Sequence, residues 1–305
     1  MAALAEMYMR GASTREVETI TEELCGHSFS ASSISTIDEK LDESLAPFVQ
    51  RRLSEHFPYL ILDARYEKVR EAGVIASQAV PIALGIDGGI DGGIDGDGRR
   101  PILGVEPANR ESRSNWRAFL LGLRRCGLAG VAFVVADEHA GLKAAIREFL
   151  QEAACQRCYV HVLRNALDDV PRKVDDDCSQ ELRWLYDRRD LAEARTDLAA
   201  RIGTWQAKYP RLVAWAEENI EETPTFYRLP RQHHEHLKST SMPERLNEVI
   251  KRRTHLVRIF PNAECCLGLV RALCVETHEN RLEAHRYLNM DDLSEMKKEA
   301  LRQAA

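Results

Sequence analysis

An α/β fold built on a mixed sheet is predicted by three features of the sequence. Four apolar runs of strand length fall between residues 59 and 136, a glycine-rich turn separates the second from the third, and a helical segment precedes the fourth. Strands joined first by a hairpin and later by helical crossovers give antiparallel and parallel pairs in one sheet. The chain has 305 residues, 44% hydrophobic and 30% charged, enough to bury a sizeable core as two domains or one elaborated one.

The elements follow in order. Residues 1–54 read as a helical, helix-turn-helix-like segment. Ser13-Thr14-Arg15-Glu16 fits a capping box that opens a helix through Leu24, Cys25-Gly26-His27 breaks it, and Ile34, Ile37 and Leu41 resume helical spacing. Residues 1–50 carry three basic against nine acidic side chains, which favours a hairpin that packs or dimerises over one that contacts phosphate. The strands are expected over Tyr59 to Ala64, Ala79 to Asp87, Arg100 to Glu106 and Val131 to Ala136, with a helix from Ser114 to Cys126. From Glu138 to Glu222 the pattern is helical and charged, with Leu182, Leu185, Leu191, Leu198, Trp205 and Trp215 as apolar anchors. A basic stretch and a helical carboxyl terminus complete the chain.

Gly-Ile-Asp-Gly occurs three times in tandem from Gly85 to Gly96, read as a loop expansion. Asp95, Asp97 and Glu106 match positions 1, 3 and 12 of a calcium loop, but Arg99 and Arg100 occupy positions 5 and 6, so that match fails. No Walker-type phosphate loop is present. The eight cysteines are scattered and read as reduced thiols, and no apolar run reaches the roughly 18 residues of a membrane span. With no secretory pattern at the start, a cytoplasmic location is expected.

The formal net charge of -6 argues against bulk coating of nucleic acid, yet charge is unevenly spread. Arg228 to Arg258 holds eight Lys or Arg against three Glu. Lys238, Arg245, Lys251, Arg252 and Arg253 are therefore the candidate phosphate contacts. Within this stretch Glu244 lies on an expected helix whose apolar stripe is Leu246, Val249 and Ile250, with Glu244, Asn247, Glu248 and Lys251 opposite. Asp63 and Asp137 each end an apolar strand, where α/β sheets place ligands. Taken singly, such an Asp also suits a turn or a helix cap. Three carboxylates converging on one sheet edge are hard oxygen ligands for Mg²⁺.

Four segments together resemble the mutator-type bacterial insertion-sequence transposases: Tyr59-Leu-Ile-Leu-Asp63-Ala-Arg-Tyr66, Val134-Val-Ala-Asp137-Glu-His-Ala-Gly-Leu142, Gln156-Arg-Cys158-Tyr-Val-His161-Val-Leu-Arg164-Asn165 and Glu244-Arg-Leu-Asn247-Glu-Val-Ile-Lys-Arg-Arg253-Thr254. Gly11 to Arg15, Ile259 to Asn262 and Arg286 to Asn289 extend the match over nearly the whole chain. The resemblance implies a ribonuclease-H-like core in two parts, residues 55–154 and 236–305, around a helical insertion over 155–235. It implies a DDE transposase with Asp63, Asp137 and Glu244 as catalytic and metal-binding residues, Glu248 being the fallback for the third. Two Mg²⁺ or Mn²⁺ ions, DNA at element ends and target, and a homo-oligomer on DNA are implied with it.

Cys158 and His161 belong to the family motif; Cys155 adds a third potential ligand at the same spacing, so zinc stands beside a packing or hydrogen-bonding role. The chain departs from the usual pattern at Cys155, Ser241 and Pro243 and in the length of the hairpin from Gly85 to Gly98. It also starts where family members are already under way, so an absent amino-terminal DNA-binding portion is an expectation. Two other functions stay open: a remnant that only binds DNA or a partner, and a Mg²⁺-dependent structure-specific nuclease on the same fold.

Overall fold

Alternation of Tyr59, Ile61 and Asp63 with Leu60, Leu62 and Ala64 makes the first strand two-faced, and both faces are covered. The structure, a computed structural model, describes residues 45–53, 56–88, 98–108, 110–167, 175–283 and 287–304. The amino-terminal helices expected up to residue 44 and most of the glycine-rich repeat lie outside these residues.

Strands β1 (Tyr59–Glu71), β2 (Val74–Ile86), β3 (Ile102–Val105), β4 (Phe133–Ala136) and β5 (Ala154–Arg157) form one sheet in the order β3-β2-β1-β4-β5. The β1–β2 and β2–β3 pairs are antiparallel, and β1–β4 and β4–β5 are parallel. This is the mixed α/β sheet expected from the sequence. Helices α1 (Arg113–Arg125) and α2 (Ala140–Phe149) cover one face, where Trp116, Phe119, Leu123, Leu142 and Ile146 pack on Leu60, Leu62 and Val134. The other face, with Tyr59, Ile61, Leu84 and Val135, is covered by α3 (Tyr159–Leu167), α4 (Asp175–Leu185), α5 (Leu191–Trp205), α6 (Pro210–Asn219), α7 (Ser241–Val257), α8 (Ala263–Glu283) and α9 (Met290–Ala304).

Two expectations need correction. The first hairpin is longer than its apolar runs, because β1 continues through Tyr66-Glu-Lys-Val-Arg-Glu71 and pairs residue by residue to Glu71↔Val74. Its far end projects with Tyr66, Val74 and Ile75 exposed, so hydrophobic alternation fades while the ladder persists. Residues 154–157, expected within a helical stretch, are instead the edge strand β5. Ala-Cys-Gln-Arg carries little apolar signal and is held by backbone pairing to β4. The Gln156 side chain closes that edge, donating to the Thr223 carbonyl at 2.5 Å and accepting from the Phe226 amide at 2.9 Å.

Gly141 sets how closely α2 approaches α1. A Cβ there would stand 2.7 Å from the Arg113 backbone nitrogen and 2.8 Å from the Ser112 carbonyl carbon. Only glycine lets the start of α2 lie against the start of α1.

Candidate active site at the carboxylate edge

Pairing of β1 with β4 runs in register through Ile61↔Val135, and Asp63 and Asp137 each follow two residues later. Strand parity therefore sends both side chains to the face covered by α7. Burial pushes the Asp63 carboxyl up to about 6, and the Asp137 carboxylate adds to the rise. His161, the Ala64 amide and the Asn247 side chain pull the other way. The two carboxylates expected from the sequence thus feel each other's charge.

His161, on the first turn of α3, supplies the compensating positive charge. Its Nδ1 stands 3.7 Å from Asp137 Oδ1, an ion pair too long for a direct hydrogen bond. The imidazole is raised to about 9, first by its hydrogen bond with Cys158 and then by the charges of Cys158, Asp137 and Asp63, against the opposing effect of burial. Burial alone would push the Cys158 thiol up, but His161 and Thr240 outweigh it and hold it below its usual value. Thr240 donates to Cys158 Sγ from its amide at 3.3 Å and from its hydroxyl at 3.2 Å. Thr240 is the residue before α7, so Cys158 ties the start of that helix to the end of β5. Cys155 is exposed while Cys158 is buried.

Helix α7 begins at Ser241, with the Glu244 amide bonded to the Thr240 carbonyl at 3.1 Å. Pro243 falls in the first turn, where the missing amide hydrogen has no intrahelical partner to lose. Glu244 therefore closes the first turn of the helix. Three residues on, Asn247 Nδ2 donates to Asp63 Oδ2 at 2.6 Å. Glu244 lies one turn before Asn247 on the same side and is partly buried, whereas Glu248 and Lys251 are exposed.

The grip on α7 is completed by Arg65, two residues after Asp63. Its Nη1 donates to the Asn247 carbonyl at 2.7 Å and its Nη2 to Thr254 Oγ1 at 3.2 Å, while its Nε pairs with Glu67. Thr254 in turn donates to Glu67 at 3.1 Å. One strand thus fixes both the rotation of α7 and its height along β1.

This edge joins Asp63, which lies inside β1 and not at its end because the strand runs on to Glu71, with Asp137 just after β4, a Cys–His pair and the helix that carries Glu244. The family model described as "Transposase, Mutator family" matches residues 1–284. The chain belongs to the Mutator family of transposases. Among similar family members, the transposase for insertion sequence element ISRM5 of Rhizobium meliloti is 68% identical over 305 residues, covering 100% of this chain and 75% of its own length. The transposase for IS406 of Burkholderia multivorans is 41% identical, covering 95% of this chain and 73% of its own. That for IS256 in transposon Tn4001 of Staphylococcus aureus is 35% identical with the same coverage.

In this Mutator-family chain Arg245, Lys251 and Arg252 are exposed and Arg253 is partly buried along α7. Lys238 is not on that helix; its Nζ is 2.8 Å from Asp187 Oδ1 and 5.3 Å over the Tyr159 ring. No helix among the described residues is long and apolar enough to cross a membrane.

Sequence reasoning missed one acidic neighbour, Glu111, in the loop before α1. Burial raises it to about 7, Asp137 adds to the rise, and its Oε2 is 3.4 Å from His139 Nδ1. A glutamate before a helix cap carries no signal that would mark it. Among the described residues no three His, Cys, Asp or Glu side chains are gathered as a ready-made metal site. The donor chemistry still fits a divalent cation, because carboxylate oxygens are hard ligands and the charge of Asp137 raises the cost of ionising Asp63, a cost that a bound cation relieves.

Proposed function

We propose that the chain cuts DNA at the ends of its insertion element and joins the freed ends to a target, with Asp63, Asp137 and Glu244 as the catalytic carboxylates. The observation that carries this reading is the placement of Asp63 and Asp137 at matching positions two residues beyond the last pair of the neighbouring parallel strands β1 and β4, with Asp63 held by Asn247 of α7. The sheet order β3-β2-β1-β4-β5, antiparallel first and parallel after, supports a ribonuclease-H-like core, with the helices between β5 and α7 as its insertion. The names of the family relatives support the reaction class.

Asp63, Asp137 and Glu244 would hold the metal, and Glu244 is preferred to Glu248 because it is the less exposed and lies on the Asn247 side of the helix. A bound pair of Mg²⁺ or Mn²⁺ ions activates an attacking oxygen and stabilises the leaving one in phosphoryl transfer. The protein's part is to hold its carboxylates in place. Asn247 fixes one oxygen of Asp63, Arg65 sets the height of the helix that carries Glu244, and His161 balances the carboxylate pair before metal arrives. Arg245, Lys251, Arg252 and Arg253 extend the same helix as a phosphate-contacting strip, and work in the cytoplasm as a homo-oligomer on DNA completes the reading.

The test is incubation of the full chain with labelled element ends and target DNA, with and without Mg²⁺ or Mn²⁺. Metal-dependent nicking followed by joined products is expected. Nicking without joining would favour a nuclease, and binding without nicking a remnant; either result overturns the proposal.

A further inference from the structure

Beside Asp137 a cavity of about 260 Å³ opens between α2, the end of β5 and the segment around Glu222. Three cations line it. Lys143 and Arg147 are four residues apart on α2 and so share a face, and Arg157 is the last residue of β5. Arg157 is only 5% exposed. Its Nη1 donates to Asn219 Oδ1 at 2.9 Å and its Nη2 pairs with Glu138, but its buried Nε has no hydrogen-bond partner among the described residues. A buried donor without an acceptor is costly, and Arg157 brings a fixed positive charge to the cavity wall.

The other two cations differ in how they are occupied. Lys143 Nζ is 2.5 Å from both carboxylate oxygens of Glu222, whereas Arg147 is exposed and has no ion pair among the described residues. The carboxylates on Arg157 and Lys143 are themselves 41% and 44% exposed, so they can swing into water at little cost. An incoming anion would take their place beside the cations while both carboxylates turn to water.

We propose that this cavity seats a backbone phosphate of the DNA strand that passes Asp137, with Glu138 and Glu222 occupying its cations until DNA displaces them. The inference rests on the DNA-cutting function proposed above. Arg157 gives the seat its fixed, buried charge; Lys143 and Arg147 close over the phosphate from α2. Because Glu222 stands on the segment that follows α6, the exchange also releases the helical layer from its ion pair with α2.

The experiment measures binding of the full chain to a fluorescein-labelled DNA duplex of arbitrary sequence, without divalent metal and across a salt series. Phosphate contacts do not depend on sequence, so an arbitrary duplex suffices. The K143A/R147A variant is expected to bind at least about ten-fold more weakly, with the slope of log affinity against log salt reduced by about one. E222Q should bind about two- to five-fold more tightly, and D190N, which removes an equal charge from an exposed helix cap, should not. In the K143A/R147A background E222Q should give no gain, since Glu222 acts through Lys143. Thermal melting of each variant checks that the fold is kept.

Wild-type affinity and salt slope in K143A/R147A, or an E222Q gain that persists without Lys143 and Arg147, would overturn the phosphate seat and leave the DNA reading standing. A wild-type chain that binds no duplex would remove both.

Discussion

Changing Asp63, Asp137 or Glu244 to the isosteric amide is expected to reduce metal-dependent DNA cutting by about three orders of magnitude or more. Each amide keeps the shape and the hydrogen-bond acceptor but removes a negative charge that holds the metal. Asp63→Asn leaves an oxygen to receive the Asn247 donor, so folding should survive. The three losses should not add, because residues that serve one site fail together. Glu248→Gln is the matched control on the exposed side of α7 and should cut like wild type. Full activity in Glu244→Gln, with loss in Glu248→Gln, would move the third carboxylate one turn along the helix.

The same change at Asp63 should make the metal-free protein more stable, and the size of the gain should depend on pH. Asp63 is raised from its usual 3.8 to about 6, chiefly by burial. A raised carboxyl binds its proton more tightly in the folded state than in the unfolded one. Well below pH 4 both states are protonated and Asp63 costs nothing. As pH rises from there, the unfolded chain ionises first and stability falls, until above about pH 6 the full cost is present. Two units correspond to about 2–3 kcal/mol, which Asp63→Asn should recover at neutral pH and only in small part at pH 4. Denaturant melts of both proteins in chelator at the two pH values measure it. An equal difference at both, or a less stable variant at pH 7, would show that Asp63 is not strained in the free protein.

Much of this edge is legible in the amino-acid sequence. Asp63 and Asp137 can be located because each ends a run of apolar residues whose length and alternation announce a buried strand. Their facing the same side follows from parity once β1 and β4 pair in register. The helix of Glu244 is readable from Leu246 and Ile250, both buried.

The features that sequence patterns miss have physical causes. The outer half of the first hairpin is charged and solvated on much of its surface, so its pairing leaves little hydrophobic trace. β5 depends on backbone hydrogen bonds and on Gln156, not on apolar side chains. Arg65 and Asn247 meet across a separation of 182 residues, and no local rule points from one to the other. Cys158 and His161 stand out in the sequence as a motif with ligand-like spacing. That the thiol anchors Thr240 while the imidazole faces the carboxylates depends on neighbours distant in the chain. Glu111 escapes notice for the same reason.

The central claim is that Asp63, Asp137 and Glu244 form one metal site. A crystal structure of the full chain with Mn²⁺ and DNA, read by anomalous scattering, tests it most directly. Manganese about 2.1 Å from carboxylate oxygens of all three residues is the expected result. Manganese bound without Glu244, by Glu248 or Glu111 in its place, or absent from Asp63 and Asp137, would contradict it.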